Sequence, residues 1–194
     1  LSSVDEEYCA RLIEGQRSLA SVLEDAARQG LLAGRVNHGD PKLTNIMFDE
    51  KTGRAVSMVD LDTVKPGLLH YDIGDCLRSR CNLAGDNLEK LADVRFDPEV
   101  CRNLLDGYFA EMAPLLTAAD YEFIYPAVKL LAFELGLRFF TDHLKGDVYF
   151  KVGHRGHNLQ RAMGQFRLMT SIENSEALIR TIVKKGRQDS GAGS

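Results

Sequence analysis

The sequence predicts a mainly helical α+β domain that carries a single small β-hairpin. Apolar residues recur at helical spacing over much of the 194-residue chain. Two short apolar runs, 46–48 and 55–59, flank a polar segment at 49–54 of the kind that closes a hairpin. Strands and helices do not alternate along the chain, which disfavours a doubly wound parallel sheet.

The N-terminal part of the chain predicts one long helix followed by a loop. The helix covers 5–29 and ends at Gly30, because glycine adopts the backbone conformation that terminates helices. Residues 35–45 contain glycine and proline and show no periodicity, so we expect a loop there. The apolar positions of the helix are Tyr8, Leu12, Leu19, Leu23 and Ala26.

Most of the chain beyond residue 70 predicts helices. Asp97 before Pro98 is typical of a helix start, since aspartate caps the first turn and proline fits its first position. Thr117 with Asp120 three residues later resembles a capping box. The predicted helices are 73–83, 98–112, 121–144, 157–169 and 173–184.

Composition places the chain among ordinary globular proteins. Twenty-four Lys and Arg against 28 Asp and Glu give a net charge of −4, which disfavours a nucleic-acid partner. The apolar stretch 123–144 contains charged residues that disfavour a membrane span. Four cysteines without a CxxC pair, and no signal peptide, predict a cytoplasmic protein. We expect one domain over 1–186 and a disordered Gly/Ser-rich tail at 187–194.

Polar and ionisable residues concentrate on both sides of the predicted hairpin. Asp40, Lys42 and Asn45 precede its first strand, and Asp60 and Asp62 follow its second. The hairpin therefore brings the two groups together. Phosphoryl transfer needs a carboxylate near the attacking hydroxyl, oxygen ligands for Mg²⁺ and a cation near the transferred group. Asp40 is the candidate base, Asn45 and Asp60 are the candidate Mg²⁺ ligands, and Lys42 is the candidate cation.

The segment His38-Gly39-Asp40-x-x-x-x-Asn45 resembles the catalytic loop, 38–45, of aminoglycoside-phosphotransferase-like kinases, a branch of the protein-kinase-like fold. Val59-Asp60-Leu61-Asp62 resembles their metal segment, 60–62. The likeness is closest to the N-acetylhexosamine 1-kinase group. Further blocks carry it: Asp60-Leu61-Asp62-Thr63-Val64-x-Pro66-Gly67, Tyr71-Asp72-x-Gly74-Asp75-x-x-Arg78, Arg138-Phe139-x-Thr141-Asp142, Gly146-Asp147-Val148-Tyr149-Phe150-Lys151 and Gly156-His157-Asn158-Leu159.

The resemblance implies a role for each matching residue. The base Asp40 would act on the anomeric hydroxyl of the sugar, and Lys42 would contact the ATP phosphates. Asn45 and Asp60 would hold Mg²⁺ for the nucleotide. Further residues are implied as well: Asp62 as a second metal ligand or a loop brace, Arg138 and Tyr149 as sugar contacts, and His38 and Asp72 as structural supports.

The chain departs from the pattern of the hexosamine kinases in three places. Gly39 stands where those kinases usually have asparagine, and 79–82 matches poorly at the border of the sugar site. The N-terminal nucleotide lobe of such kinases has no counterpart upstream of residue 38, and no Gly-x-Gly-x-x-Gly occurs. The resemblance therefore predicts the C-terminal lobe of a kinase, with the missing N-terminal lobe as a partner.

Several alternatives remain open from the sequence. Asp60-Leu61-Asp62-Thr63 also fits the Asp-x-Asp-x-Thr signature of haloacid-dehalogenase-type phosphatases, which need a parallel sheet. A non-catalytic module derived from a kinase lobe is a second alternative. Separate alternatives are an ion pair of Arg138 with a nearby acid, Asp142 or Glu134, and a place for Tyr149 in the core. Choline, homoserine and aminoglycoside kinases are further possibilities within the family.

Overall fold

The computed structural model describes residues 3–85 and 88–191, which form α-helices and two small antiparallel sheets. The mainly helical α+β prediction is confirmed. The helices are α1 (Val4–Gly15), α2 (Val22–Arg28), α3 (Leu69–Arg80), α4 (Pro98–Met112), α5 (Ala118–Glu122), α6 (Ile124–Leu144), α7 (His157–Asn174) and α8 (Glu176–Gly191). The strands are β1 (Arg35–Asn37), β2 (Ile46–Phe48), β3 (Ala55–Met58) and β4 (Lys65–Gly67).

The predicted hairpin is confirmed as β2 and β3, which pair Ile46 with Met58. A second sheet was not expected from the sequence. β1 lies inside the segment predicted as a loop, and it pairs antiparallel with β4, Arg35 opposite Gly67. Each of these strands has only three residues, and Pro66 sits in β4. Strands this short show no alternation, and a proline argues against a strand, so only their long-range pairing reveals them.

The core is centred on α6, which packs against α3 on one side and α7 on the other. Apolar residues occur on all faces of α6, as expected for a buried helix. Gly136 makes the contact with α7 close: a Cβ built there would lie 2.6 Å from the ring of Phe166. The ring of Phe166 on α7 therefore packs directly on the backbone of α6 at this point.

The prediction of one long N-terminal helix is wrong, because the first helix ends at Gly15. A 3₁₀ turn at Arg17–Ser21 separates α1 from α2, and the Ser21 hydroxyl bonds to Asp25 at 2.6 Å. Glycine and serine are poor helix formers, and the break lets α1 pack on α7 while α2 packs on α6.

The helices predicted after residue 70 are present, but several of them begin or end at other residues than predicted. α4 begins and ends as predicted, with the Asp97 side chain accepting hydrogen bonds at its N-terminus. The Thr117–Asp120 capping box is present, but it starts the short helix α5, and a turn at Phe123 separates that helix from α6.

The C-terminal residues differ from the predicted disordered tail. α8 continues through the proposed boundary at 186 to Gly191, so 187–191 are helical and not a disordered tail. The helix is amphipathic and buries Ile179, Ile182 and Val183, which holds its apolar face on the core. Residues 192–194 lie outside the described part. No helix in 3–85 or 88–191 is long and apolar enough to cross a membrane.

Candidate active site

The predicted catalytic loop, 38–45, is held on the helical core by Asp72 of α3. One carboxylate oxygen accepts the backbone N–H of His38 at 2.6 Å, and the other accepts that of Gly39 at 2.9 Å. Two consecutive N–H groups facing one carboxylate fix the direction of the backbone just before Asp40. The structure therefore places Asp72 where a loop support would act.

His38 joins the catalytic loop to the metal segment. Its Nδ1 accepts the backbone N–H of Asp40 at 3.3 Å, so its Nε2 carries the proton and donates to the carbonyl of Val59 at 3.1 Å. The Thr63 hydroxyl donates to the His38 carbonyl at 2.6 Å. Both ring nitrogens are used in holding backbone, which fits a structural role for this buried side chain.

Gly39 is required by the local packing. Its φ is +85°, and a Cβ at this position would lie 2.8 Å from the carbonyl oxygen of Thr63. A side chain here would be strained by its backbone conformation and would also push the metal segment away. These two constraints explain why this chain has glycine at position 39, where the hexosamine kinases usually have asparagine.

Asp40 is the candidate base, and its carboxylate is held by two neighbours. Lys42 Nζ lies 2.8 Å from each of its oxygens. The Asn45 side-chain N–H donates to the Asp40 carbonyl at 2.9 Å and to its carboxylate at 3.3 Å. The structure brings these three predicted residues together, and no residue of the described ranges donates to the Asn45 amide oxygen.

The metal segment begins in an unusual backbone conformation. Asp60 has φ 62° and ψ 56°, which turns the chain sharply at the end of β3. The backbone N–H of Val59 donates to the carbonyl of Asn45 at 2.9 Å, so Asp60 adjoins the end of the catalytic loop. Within 3–85 and 88–191, neither the Asp60 nor the Asp62 side chain makes a hydrogen bond or ion pair, and both residues are exposed.

These oxygen donors fit a magnesium ion that is also bound by phosphates. In the described ranges, no three His, Cys, Asp or Glu side chains gather closely enough to hold a metal by themselves. Mg²⁺ is usually held by one or two carboxylates together with substrate phosphates and water, so a fuller protein cage is not needed. Asn45 and Asp60 supply a neutral and an anionic oxygen of that kind.

β1 carries the chain into the catalytic loop and is fixed by an ion pair. Both Arg35 terminal nitrogens donate to the buried carboxylate of Asp120, at 3.1 and 3.2 Å. The Thr117 backbone N–H donates to the same oxygen at 2.7 Å. Burial raises the pKa of Asp120, but the bonds from Thr117 and Arg35 outweigh it and leave this pKa below the ordinary value.

A cavity of about 1180 Å³ lies between the catalytic loop and helices α3, α6 and α7. Asp40 and Lys42 line it at one wall, and Arg138 lines it from α6. Carboxylate and cationic side chains line it in equal number, five of each. Asn45, Asp60, Asp62 and Tyr149 are not among its lining residues. The cavity thus unites the candidate base with one of the two predicted sugar contacts.

Arg138 forms neither of the ion pairs considered from the sequence. Its guanidinium lies 5.5 Å from the ring centroid of Phe150 and pairs with no acid of the described chain. Phe150 packs on Phe139 with centroids 4.7 Å apart. Tyr149 is 75% exposed and contacts Phe150 edge-on, so it is not a core residue.

The comparison with known families agrees with the loop geometry. The model of the phosphotransferase enzyme family, APH, matches residues 4–115, more than half of the chain. The chain belongs to this family. Membership assigns it to the kinase-type phosphotransferases, whose members generally use ATP and Mg²⁺. The matched range includes 38–45 and 60–62, whereas Arg138 and Tyr149 lie beyond it.

The phosphatase alternative loses its structural support. A haloacid-dehalogenase-type enzyme needs a parallel sheet, and both sheets of the described chain are two-stranded and antiparallel. Asp60 follows the second strand of a hairpin and begins a 3₁₀ turn. Family membership and sheet topology thus both favour the phosphotransferase.

Asp142 shapes the part of the site contributed by 147–150, a role that the sequence did not indicate. Its carboxylate accepts the backbone N–H groups of Val148, Tyr149 and Phe150 at 2.8–3.0 Å. It also accepts the Asn158 side chain at 2.9 Å. Burial raises the pKa of Asp142, and the three N–H donors outweigh it, so this pKa lies below the ordinary value.

Two buried amide side chains in the cavity wall were also missed. Asn37 and Gln165 are 4% and 5% exposed, and no described residue donates a hydrogen bond to the buried side-chain oxygen of either. The Asn37 amide N–H donates to the carbonyl of Leu68. No local motif marks either residue, because their significance arises only when distant helices and strands enclose the cavity.

Proposed function

We propose that this phosphotransferase transfers the γ-phosphate of ATP to the anomeric hydroxyl of an N-acetylhexosamine or a related sugar. The observation that carries the proposal is the position of Asp40. Its carboxylate lines a cavity with room for a sugar and is held by Lys42 and Asn45, on a loop fixed by Asp72. This arrangement suits a base beside an acceptor hydroxyl.

The reaction assigns a role to each loop residue. The acceptor oxygen forms a bond to the γ-phosphorus, the bond from that phosphorus to the bridging oxygen breaks, and ADP leaves. Asp40 accepts the proton of the acceptor hydroxyl. Lys42 moves from the Asp40 carboxylate toward the phosphates as negative charge develops there.

Asn45 and Asp60 would hold Mg²⁺, with Asp62 as a further ligand on the same turn. When bound, the ion would neutralise the phosphate oxygens of the nucleotide. The exposed carboxylates of Asp60 and Asp62, which no described residue engages, support this assignment. We place the protein in the cytoplasm, where such a sugar kinase meets ATP.

The charge balance of the cavity supports a neutral acceptor. A polycationic aminoglycoside would favour an excess of carboxylates, and the lining has five acids and five cations. Arg138 stays a proposed sugar contact, because it lines the cavity with no acid to neutralise it. Tyr149 is the weaker proposal, since its ring stands exposed outside the lining.

We also propose that the described chain forms the C-terminal lobe of a kinase fold and works with an N-terminal nucleotide lobe. The support is an apolar surface on the hairpin and the metal segment, where large side chains are 45–63% exposed: Met47, Phe48, Val56, Met58 and Leu61. Exposed apolar residues grouped in this way are typical of a surface that another domain covers.

The test is phosphoryl transfer by the protein expressed from its complete gene. Sugar phosphate formed from Mg²⁺-ATP and an N-acetylhexosamine is followed by ³¹P NMR. Asp40→Asn should lower kcat by about 10²–10⁴-fold, the usual contribution of a general base. The exposed Asp106→Asn on α4 is the matched control and should keep the wild-type rate.

Two results would contradict the proposal. A wild-type rate from Asp40→Asn would remove Asp40 as the base. No transfer by the complete protein to sugars, choline, homoserine or aminoglycosides would favour the non-catalytic module.

A further inference from the structure

Gln165 is a buried polar residue that no contact within the described chain explains. It lies on α7 and is 5% exposed, and it lines the cavity. Its amide oxygen is buried without a hydrogen-bond partner. No described residue bonds to its amide nitrogen either.

An unpartnered amide at this depth destabilises the fold. Burying a polar group without a hydrogen bond costs the free energy of removing it from water, whereas an apolar side chain of similar shape would avoid that cost. Buried polar groups in folded proteins almost always have partners. The missing partner of Gln165 is therefore to be sought in the cavity that it lines.

The neighbouring polar groups of this wall already have partners. Arg78 is buried and forms an ion pair with Asp75 at 2.7 Å. Arg161, one turn before Gln165 on α7, donates to the carbonyl of Lys151 at 3.0 Å and to the Asn158 side-chain oxygen at 3.2 Å. Neither arginine competes for the Gln165 amide.

The chemistry of an amide narrows the class of ligand. One end accepts hydrogen bonds and the other donates them, and the group carries no charge. A sugar hydroxyl also donates and accepts, so a polyhydroxyl compound satisfies either end of the amide. Phe139 and Phe150 add an apolar wall on which the C–H face of a sugar ring can pack.

We infer that Gln165 is a specificity-determining residue that hydrogen-bonds one hydroxyl of the acceptor sugar in this cavity. The inference rests on the proposed function for its acceptor class and adds a residue outside the matched family range. Gln165 contacts the acceptor away from the reacting atoms, so it discriminates between acceptors and takes no part in the transfer of the phosphate.

The test measures binding without nucleotide, which separates it from the test of phosphoryl transfer. Affinities for N-acetylglucosamine and its monodeoxy analogues are measured by saturation-transfer NMR with the 194-residue protein. Wild type should bind the parent sugar and bind one monodeoxy analogue at least about tenfold more weakly. In Gln165→Met that ratio should fall to about one, and the parent sugar should bind about tenfold more weakly.

The matched control is Gln160→Met, an exposed glutamine on the same helix, which should keep wild-type affinities. Thermal unfolding supplies a second readout. Gln165→Met should melt at the wild-type temperature or above it, because the substitution removes an unpaired buried amide. A structural role would instead lower the melting temperature.

Three outcomes would overturn the inference. Wild-type affinities and discrimination in Gln165→Met would remove Gln165 from the acceptor site, with the proposed kinase activity unaffected. A lower melting temperature with unchanged discrimination would make it a structural residue. Absence of any sugar binding by the wild type would show that this cavity does not recognise the acceptor.

Discussion

A 2.9 Å hydrogen bond joins the Asp72 carboxylate to the backbone N–H of Gly39 and holds the catalytic loop on α3. The other Asp72 oxygen holds the preceding residue. The conformation of the loop therefore depends on a side chain more than 30 residues further along the chain.

Replacing Asp72 should loosen this loop. An asparagine has one acceptor oxygen, so Asp72→Asn leaves one loop N–H facing an amide NH₂ group. We expect a loss of about 1–3 kcal/mol in the free energy of unfolding, measured by urea denaturation. Asp106→Asn is the control at an exposed acid. Equal stability of the two variants would show that Asp72 does not support the loop.

Gly39→Ala tests the close approach of the catalytic loop to Thr63. Two costs add: a left-handed φ of +85° and a Cβ placed 2.8 Å from a carbonyl oxygen. Gly53→Ala is a matched control, because Gly53 has φ +66° with no atom within 4 Å of its Cβ position.

The control should lose about 1–2 kcal/mol from its backbone conformation alone. Gly39→Ala should lose more, and the excess measures the contact with Thr63. The comparison is made by urea unfolding under identical conditions. If both variants lose the same stability, the packing at Thr63 imposes no constraint.

The buried His70 predicts a loss of stability on mild acidification. Burial lowers the pKa of His70 below its ordinary value of 6.5, and its Nε2 bonds to the carbonyl of Asp120 at 2.9 Å. The unfolded chain then binds a proton at a higher pH than the folded chain. The contribution of His70 to stability is complete above pH 6.5 and is lost as the pH falls toward the folded pKa.

Urea midpoints between about pH 7.5 and 5 measure this effect. His70→Gln keeps a donor near Nε2 and cannot gain the proton, so its stability should change less over this range. His154→Gln, at an exposed histidine, should keep the wild-type dependence because His70 is still present. A wild-type pH dependence in His70→Gln would contradict the prediction.

Asp142→Asn should release the segment 147–150. The carboxylate accepts three backbone N–H groups and the Asn158 side chain, and a single amide oxygen cannot replace both of its oxygens. Amide hydrogen exchange at Val148 and Phe150 should therefore accelerate by at least about tenfold. Exchange in α4, far along the chain, serves as the internal control.

The pH at which the segment 147–150 loses this support follows from the lowered pKa of Asp142. Its pKa in the folded protein lies below the ordinary value of 3.8. The stabilisation is thus complete above that value and is lost as the pH falls through the folded pKa. The midpoint of the NMR chemical-shift titration of the three amides should therefore lie below pH 3.8. Movement of those shifts well above this pH would contradict the assignment.

Local sequence patterns were sufficient for much of the fold. The hairpin, the Asp97 cap and the Thr117–Asp120 capping box follow from residues close together in the chain, and the structure has all three. The pairing of β1 with β4 depends on residues about 30 positions apart. The end of α1 at Gly15 depends on the different helices against which α1 and α2 pack, and no local sequence pattern predicts that packing.

The same distinction applies to the candidate site. Asp40 and Asn45 stand in one short motif, and their contact is local. The burial of Gln165 in the cavity wall and the bonds from Asp142 to 148–150 join distant parts of the chain, so they appear only with the tertiary structure. The exposure of Tyr149 likewise depends on how 147–150 is held, not on the character of its own side chain.

The contact of Gly136 with Phe166 restricts how this enzyme can evolve toward new acceptors. Phe166 is the neighbour of Gln165, and its ring occupies the space where any larger residue at position 136 would place its Cβ. Enlarging the pocket by separating α6 from α7 would open this contact and cost much of the core. Under the proposed function, natural variation in acceptor choice should therefore accumulate in the segment 147–150 and at position 165, with the pairing of α6 and α7 unchanged.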